Sequence, residues 1–391
     1  LSHIHPVVIQ APPERKAMAT TNLARGTNTS MSKPVTAGKQ TYERRIPGAK
    51  VPHTSINTNF NQGNIFMYLG TQGQPTDHDE LSVLSQLGVN HISSDPPGDW
   101  TTWDRHAFSA HQEKLAKYGI TLDMTLMPLG SRSAFENDSG NVFLGKSKER
   151  DEEIDLLCHL IEEAGAAGIR ALRYNITILG HMRTEARFGR GGARLSSFDY
   201  SKLDQSLSEF EGGAADADEM WERIDYFLGK VVPVAESNKV QIACHPQDPG
   251  IGDRLYRGVA RVMGTIDGLK KFLNMHESPY HGLNFCQGTV SEMLENPGEE
   301  IYDVIRYFGK RDKIFNVHFR NIKGGFLDFV EVFPDEGDID MLKAIQVYKE
   351  IDYKYMLMPD HVPGLAGENA RRVGFAYCYG YINAALQSVS S

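Results

Sequence analysis

The order of apolar runs along this chain predicts an α/β fold: a (β/α)8 TIM barrel preceded by an extended N-terminal arm. Three observations predict it. From Asn64 onward, short apolar runs alternate eight times with longer amphipathic stretches, the rhythm of strand followed by helix. Returns from helix to strand are mostly short, whereas the strand-to-helix loops of units three, four, five and seven are long. In a barrel those long loops share the face at the C-terminal ends of the strands, where chemistry collects. Finally, four residues able to bind a metal, His245, Cys286, His318 and Asp360, fall just past four consecutive strand-like runs. Their spacings of 41, 32 and 42 residues leave room for one strand, one helix and two loops per interval.

The units follow in order. The first is a strand at 65–69 and a helix at 76–87; the second, 89–93 and 103–118; the third, 120–125 and 147–166. The fourth is 169–175 and 217–236; the fifth, 240–244 and 265–275; the sixth, 283–285 and 298–308. The seventh is 314–317 and 339–351, and the eighth 355–358 and 368–386. Gly88, Gly119 and Gly168 each follow a helical run and precede a strand, the position of a left-handed helix stop. Residues 1–60 are rich in Thr, Asn, Ser, Pro and Lys and lack periodicity. They are expected to form an arm held over their own domain or over a second protomer, with residues 61–391 forming the barrel.

Composition narrows the function classes. A chain of 391 residues with 40% hydrophobic content suits one large barrel. A net charge of −9 argues against nucleic acid as a partner, because a phosphate-binding surface needs excess positive charge. No apolar run approaches the ~20 residues of a membrane span. Four cysteines do not make a disulfide framework in a chain of this length, and Cys158, Cys244 and Cys378 read as core residues. No hydrophobic signal segment is visible, and the expectation is a cytoplasmic homo-oligomer.

Two imidazoles, one thiolate and one carboxylate are a borderline-soft donor set, suited to Zn, Fe(II), Mn or Co. Taken singly, a strand-end His is more often a hydrogen-bonded core residue and a buried Cys an apolar filler. The joint placement of four donors favours a divalent metal. His361 follows Asp360 directly and is the candidate acid or base. Strand alternation places Arg320 on the same side as His318, where it would meet a carboxylate substrate. Pairing of Arg320 with Glu331 or Asp335 is an equal alternative. Asn175 and Arg183 follow the fourth strand and are candidates for binding substrate hydroxyls or carboxylate. Asp248, three residues after His245, is a candidate to contact substrate or orient an imidazole. Gly189 to Gly192 and Gly324–Gly325 read as flexible loops, and Tyr377 and Tyr379 as packing residues.

Several segments carry a resemblance. They are Cys244-His245-Pro246-Gln247-Asp248-Pro249, Gly282 to Gly288, Val317-His318-Phe319-Arg320-Asn321, Asp338-Ile339-Asp340-Met341 and Pro359-Asp360-His361-Val362-Pro363. Together they make the chain similar to the mannonate dehydratase family, with weaker similarity at Arg173-Tyr174-Asn175 and Arg183-Thr184. The resemblance implies a xylose-isomerase-like barrel and a Mn(II)- or Fe(II)-type ion held at the positions of His245, Cys286, His318 and Asp360. It implies a catalytic role for His361, and loss of water from a hexonate to give a 2-keto-3-deoxy acid. The family's Tyr in a Pro-Gly-Tyr loop has no clear match, and Phe375 lies near its place. The segments after strands two and three, Ser94-Asp95-Pro96-Pro97 and Met124 to Gly130, also depart from the family pattern. The expectation is a metal-dependent sugar-acid dehydratase with an altered substrate wall. The alternatives are a sugar isomerase or epimerase of the same fold, or a non-catalytic carbohydrate-binding protein with a structural metal.

Overall fold

The computed structural model describes residues 67–389, so the expected arm at 1–60 lies outside the described residues. Nine short parallel strands form a ring. They are β1 (Tyr68–Leu69), β2 (Thr71–Gln72), β3 (His91–Ser93), β4 (Thr121–Leu126) and β5 (Ala171–Asn175), then β6 (Gln241–His245), β7 (His281–Cys286), β8 (Ile314–His318) and β9 (Met356–Met358). β1 and β2 are the two halves of the first barrel strand. Tyr68 and Leu69 pair with β9, and Thr71 and Gln72 pair with β3, so one interrupted strand closes the barrel. The interruption falls at Gly70. A Cβ there would lie 1.9 Å from Met356 Sδ, so only glycine lets the strand pass that close to β9.

Helices cover the ring: α1 (His78–Gln86), α2 (Arg105–Ala116), α3 (Lys148–Ala166), α4 (Ala217–Asn238), α5 (Ile266–Asn274), α6 (Gln287–Ser291), α7 (Pro297–Gly309), α8 (Met341–Glu350) and α9 (Ala370–Val389). Their starts are written in the sequence. Asp77, Asp104, Ser147, Asp216, Thr265 and Asp340 each cap a helix by accepting a backbone N–H of the first turn. Gly88, Gly119 and Gly168 adopt positive φ between helix and strand, as their position predicts. Among the described residues no helix is long and apolar enough to cross a membrane.

Alternation along the strands sorts the side chains. On β5, Leu172 and Tyr174 point outward into the layer beneath the helices, where Tyr174 meets Phe227 of α4 with ring centres 5.6 Å apart. Ala171 points inward and joins Met124, Ala243, Phe315, Met356 and Met358 in an apolar plug inside the barrel. Each large buried side chain of these layers contributes ~1.5–3 kcal/mol.

Three features depart from the expected pattern. The first strand is split, for the reason given at Gly70. The five-residue α6 begins immediately after Cys286, too short to leave a helical period in the sequence. The loop after β8 is a hairpin, Asn321–Gly325 with Asp328–Val332, and Asp328 to Val330 pair further with Ser197–Asp199 from the loop after β5. Gly324–Gly325 therefore lie in a strand rather than a flexible loop.

Candidate metal centre

The inward alternation of four strands delivers the four candidate donors. His245 ends β6, Cys286 ends β7, His318 ends β8, and Asp360 lies two residues past β9. Cys286 and His318 are register partners across β7 and β8, and His245 is the partner of Asn175 across β5 and β6. One donor atom from each of the four lies within 4.8 Å of every other. Donors ~2.0–2.3 Å from a shared ion lie at most ~4.6 Å apart, so the set is of the size that one ion needs.

Hydrogen bonding leaves the needed lone pairs free. His245 Nδ1 lies 2.7 Å from the Pro246 carbonyl, which can only accept, so the proton sits on Nδ1 and Nε2 keeps its lone pair. His318 is buried, and neither ring nitrogen has a hydrogen-bond partner. Its Nδ1 stands 3.3 Å from Asp360 Oδ2 without hydrogen-bond alignment. The other Asp360 oxygen accepts from Gln72 Nε2 at 2.8 Å, which fixes the carboxylate plane.

The electrostatics point the same way. Burial opposes ionisation of the Cys286 thiol, but Arg320 and the adjacent imidazoles of His245 and His318 outweigh it and hold its pKa well below the usual value. Burial also opposes ionisation of Asp360, and His318 and His361 outweigh it. Burial would lower the His318 pKa, yet Asp360 and Cys286 push it up to about 9. Two buried anions thus draw positive charge into the cluster, and a divalent ion supplies it better than a proton. The orphaned His318 nitrogens and the mixed N, S and O donors fit such an ion.

The sulfur of Cys286 also caps α6. It accepts from Thr289 N at 3.5 Å and Thr289 Oγ1 at 3.2 Å. Arg320 Nη2 approaches it at 3.4 Å. Gly288 makes that approach possible, because a Cβ at this position would lie 2.4 Å from Arg320 Nε.

His361 borders the cluster, with its side chain 37% exposed to the cavity. Its Nδ1 lies 2.8 Å from Glu331 Oε2, on the hairpin. Burial works against its charge, but Asp360 and Glu331 push its pKa up to about 10. These two carboxylates favour the protonated imidazole.

Three candidates are placed differently from expectation. Arg320 does not face the cavity. Its Nη1 pairs with Glu331 at 2.6 Å, and its Nη2 lies 3.1 Å from Glu292 and 2.9 Å from Thr289. Strand alternation does not reach Arg320, because the strand ends at His318 and the chain turns at once, with Arg320 N donating to His318 O at 3.0 Å. Of the two structural partners considered for it, Glu331 is the one it meets; Asp335 pairs with Arg190. Arg183 is also committed, to Asp248 through two hydrogen bonds and to Glu331 at 2.6 Å. Asp248 is buried and binds Arg183 and Thr289 rather than an imidazole. None of the three lines the cavity, whereas Asn175 does. Asp248, Glu292 and Glu331 form a second carboxylate cluster, but its charges face the guanidinium groups of Arg183 and Arg320.

The cavity above the donors has a volume of about 390 Å3, enough for a six-carbon sugar acid. The sequence reading missed several of its walls. Gln72 and Asn284 lie at inward strand positions, and alternation from Cys286 is the signal that finds Asn284. Arg173 is visible the same way, two residues before Asn175 on the same face of β5. His181 and Arg132 come from irregular loops and leave no such signal. Burial pushes the His181 pKa down to about 4, so this second imidazole is neutral.

Comparison with known proteins agrees with this geometry. The family model described as D-mannonate dehydratase matches residues 194–388. A mannonate dehydratase of Endomicrobium trichonymphae is 34% identical over 159 residues, 39% of this chain and 41% of that protein. The chain thus spans less than half the length of this relative. The crystal structure of mannonate dehydratase from Streptococcus suis serotype 2 superposes with a TM-score of 0.70 at 22% identity, covering 83% of this chain and 93% of that one. A xylose isomerase domain protein from Planctomyces limnophilus superposes at 0.53 with 14% identity, covering 83% and 98%. The two superpositions establish a xylose-isomerase-like barrel, and residues 194–388, which carry all four candidate donors, belong to the mannonate dehydratase family.

Proposed function

We propose that this protein is a metal-dependent dehydratase of a sugar acid, with a hexonate such as D-mannonate as substrate and a 2-keto-3-deoxy acid as product. The observation that carries the reading is the convergence of His245, Cys286, His318 and Asp360 beneath a polar cavity, with the cationic His361 beside them. These four residues would hold one divalent ion, Mn(II) or Fe(II) by family likeness. When bound, the ion stabilises negative charge on the oxygens of a hydroxy acid as the carbon next to the carboxylate loses its proton.

The chain's own residues supply the rest. Elimination needs a base for that proton and an acid for the departing hydroxyl. His361 holds a proton between Asp360 and Glu331 at the edge of the cavity, which suits it to protonate the leaving oxygen. Asn175 and Asn284 present amides to the substrate hydroxyls. Asn284 Oδ1 accepts from Asn316 at 2.7 Å, so its NH2 group is left to face the ligand. Arg183 and Arg320 act at one remove, by fixing the Glu331 carboxylate against His361.

The test is product analysis. Protein loaded with Mn(II) is incubated with D-mannonate, and the mixture is treated with semicarbazide and weighed by mass spectrometry. A keto acid lighter than substrate by one water supports the reading. A product of unchanged mass would make the protein an isomerase or epimerase instead, and no product from any hexonate or pentonate would favour a binding role.

A further inference from the structure

Among the described residues, Arg173 is a cation of the cavity that forms an ion pair with no carboxylate. Arg173 lies at the middle of β5 on its inward face, in register with Ala243 of β6. Its Nε donates to Ser93 Oγ, at the end of β3, at 2.8 Å. That bond is its only side-chain hydrogen bond among the described residues, and it sets the guanidinium plane while leaving both Nη groups free. Four other buried or partly buried arginines are each held by several partners. Arg170 is bound by Asp123 and Gln241, Arg183 by Asp248 and Glu331, Arg261 by three backbone carbonyls, and Arg320 by Glu331 and Glu292.

We infer that Arg173 is the carboxylate-binding residue of this cavity, taking an aldonate end-on through its two free Nη groups. The inference rests on the sugar-acid reading above and adds the residue that selects the acid over a neutral sugar. The chemistry is that of a rigid fork. A guanidinium held at Nε presents two parallel N–H donors to the two oxygens of one carboxylate, a match that neither lysine nor an amide reproduces. No protein carboxylate fills the place. Asp95 is engaged by Thr125 Oγ1 and Leu126 N, both at 2.8 Å, and neither it nor Asp360 forms an ion pair with Arg173. Burial pushes the Arg173 pKa down from its usual value, an unfavourable state that a bound anion relieves. Arg132 also borders the cavity, but its side chain is exposed and makes no hydrogen bond or ion pair among the described residues to orient it.

The test compares two ligands of equal chain length on the Mn(II)-loaded protein by titration calorimetry. D-gluconate carries the carboxylate and D-sorbitol lacks it. The wild type is expected to bind gluconate at least ~10-fold more tightly than sorbitol, as charge-assisted hydrogen bonds require. Arg173→Met is expected to abolish that preference and leave sorbitol binding unchanged, whereas Arg173→Lys restores part of it. Ser93→Ala, which frees the guanidinium without removing it, is expected to weaken gluconate several-fold and covers the case of an unfolded Arg173→Met. Equal affinity for the two ligands in the wild type, or undiminished gluconate binding by Arg173→Met, would overturn the inference. Failure of the dehydratase reading looks different: gluconate held through Arg173 with no keto acid formed from any hexonate. Keto acid formed by Arg173→Met with unchanged KM would remove Arg173 and leave the dehydratase.

Discussion

Glu331 Oε2 stands 2.8 Å from His361 Nδ1, while Oε1 of the same carboxylate lies 2.6 Å from both Arg183 and Arg320. One residue of the hairpin after β8 thus ties the loop after β5, the end of β8 and the residue beside Asp360 into one buried network. Two guanidinium groups hold Glu331 ionised against the cost of burial, and the ionised carboxylate keeps His361 protonated. The sign of the effect is clear: a neutral residue at 331 would lower the basicity of His361.

Changing Glu331 to Gln keeps the volume and removes the charge. Arg183 and Arg320 then lose a shared partner in a buried setting, where breaking such a pair costs ~3–5 kcal/mol. The variant is expected to melt at lower temperature. The folded fraction should also turn over more slowly, with metal content unchanged. Scanning calorimetry and metal analysis check this together, and an unchanged melting curve would mean that the network does not stabilise the fold.

His361→Asn removes the proton donor and keeps most of the volume. Turnover is expected to fall ~100-fold or more, the usual size of an acid–base contribution, while metal content remains. Full turnover with normal metal content would exclude His361 from the mechanism.

Gln72, on the first barrel strand beside β9, reaches Asp360 at 2.8 Å. Gln72→Leu leaves that carboxylate oxygen without its orienting donor. A loss of ~10–100-fold in Mn(II) affinity is expected, the usual effect of removing an outer hydrogen bond to a metal ligand. Competition with a chelator measures it, and wild-type affinity would show that Asp360 needs no such support.

Much of this arrangement was legible in the sequence, because it lies where periodicity holds. Leu172 and Tyr174 alternate with Ala171, Arg173 and Asn175 along β5, and the same rule carried His245, Cys286 and His318 to strand ends. Gly88, Gly119 and Gly168 marked helix ends and adopt the positive φ that position requires. The errors fall where the backbone stops being extended. Arg320 lies in a tight turn, so counting by twos from His318 pointed it into the cavity when its guanidinium is buried in an ion network. The partners of Arg183, Asp248 and Glu331, are 65 and 148 residues away, and a single sequence holds no local sign of such a match. His181 enters the cavity from an irregular loop for the same reason.

One divalent ion bound by His245, Cys286, His318 and Asp360 is the centre of the proposed chemistry. The direct measurement is metal content per chain, by mass spectrometry after Mn(II) loading and gel filtration, for the wild type and for Cys286→Ala. One ion per wild-type chain is expected, falling well below that in Cys286→Ala, with circular dichroism showing the barrel intact. A wild type that retains no metal, or a folded Cys286→Ala protein that retains a full equivalent with wild-type affinity, would contradict it.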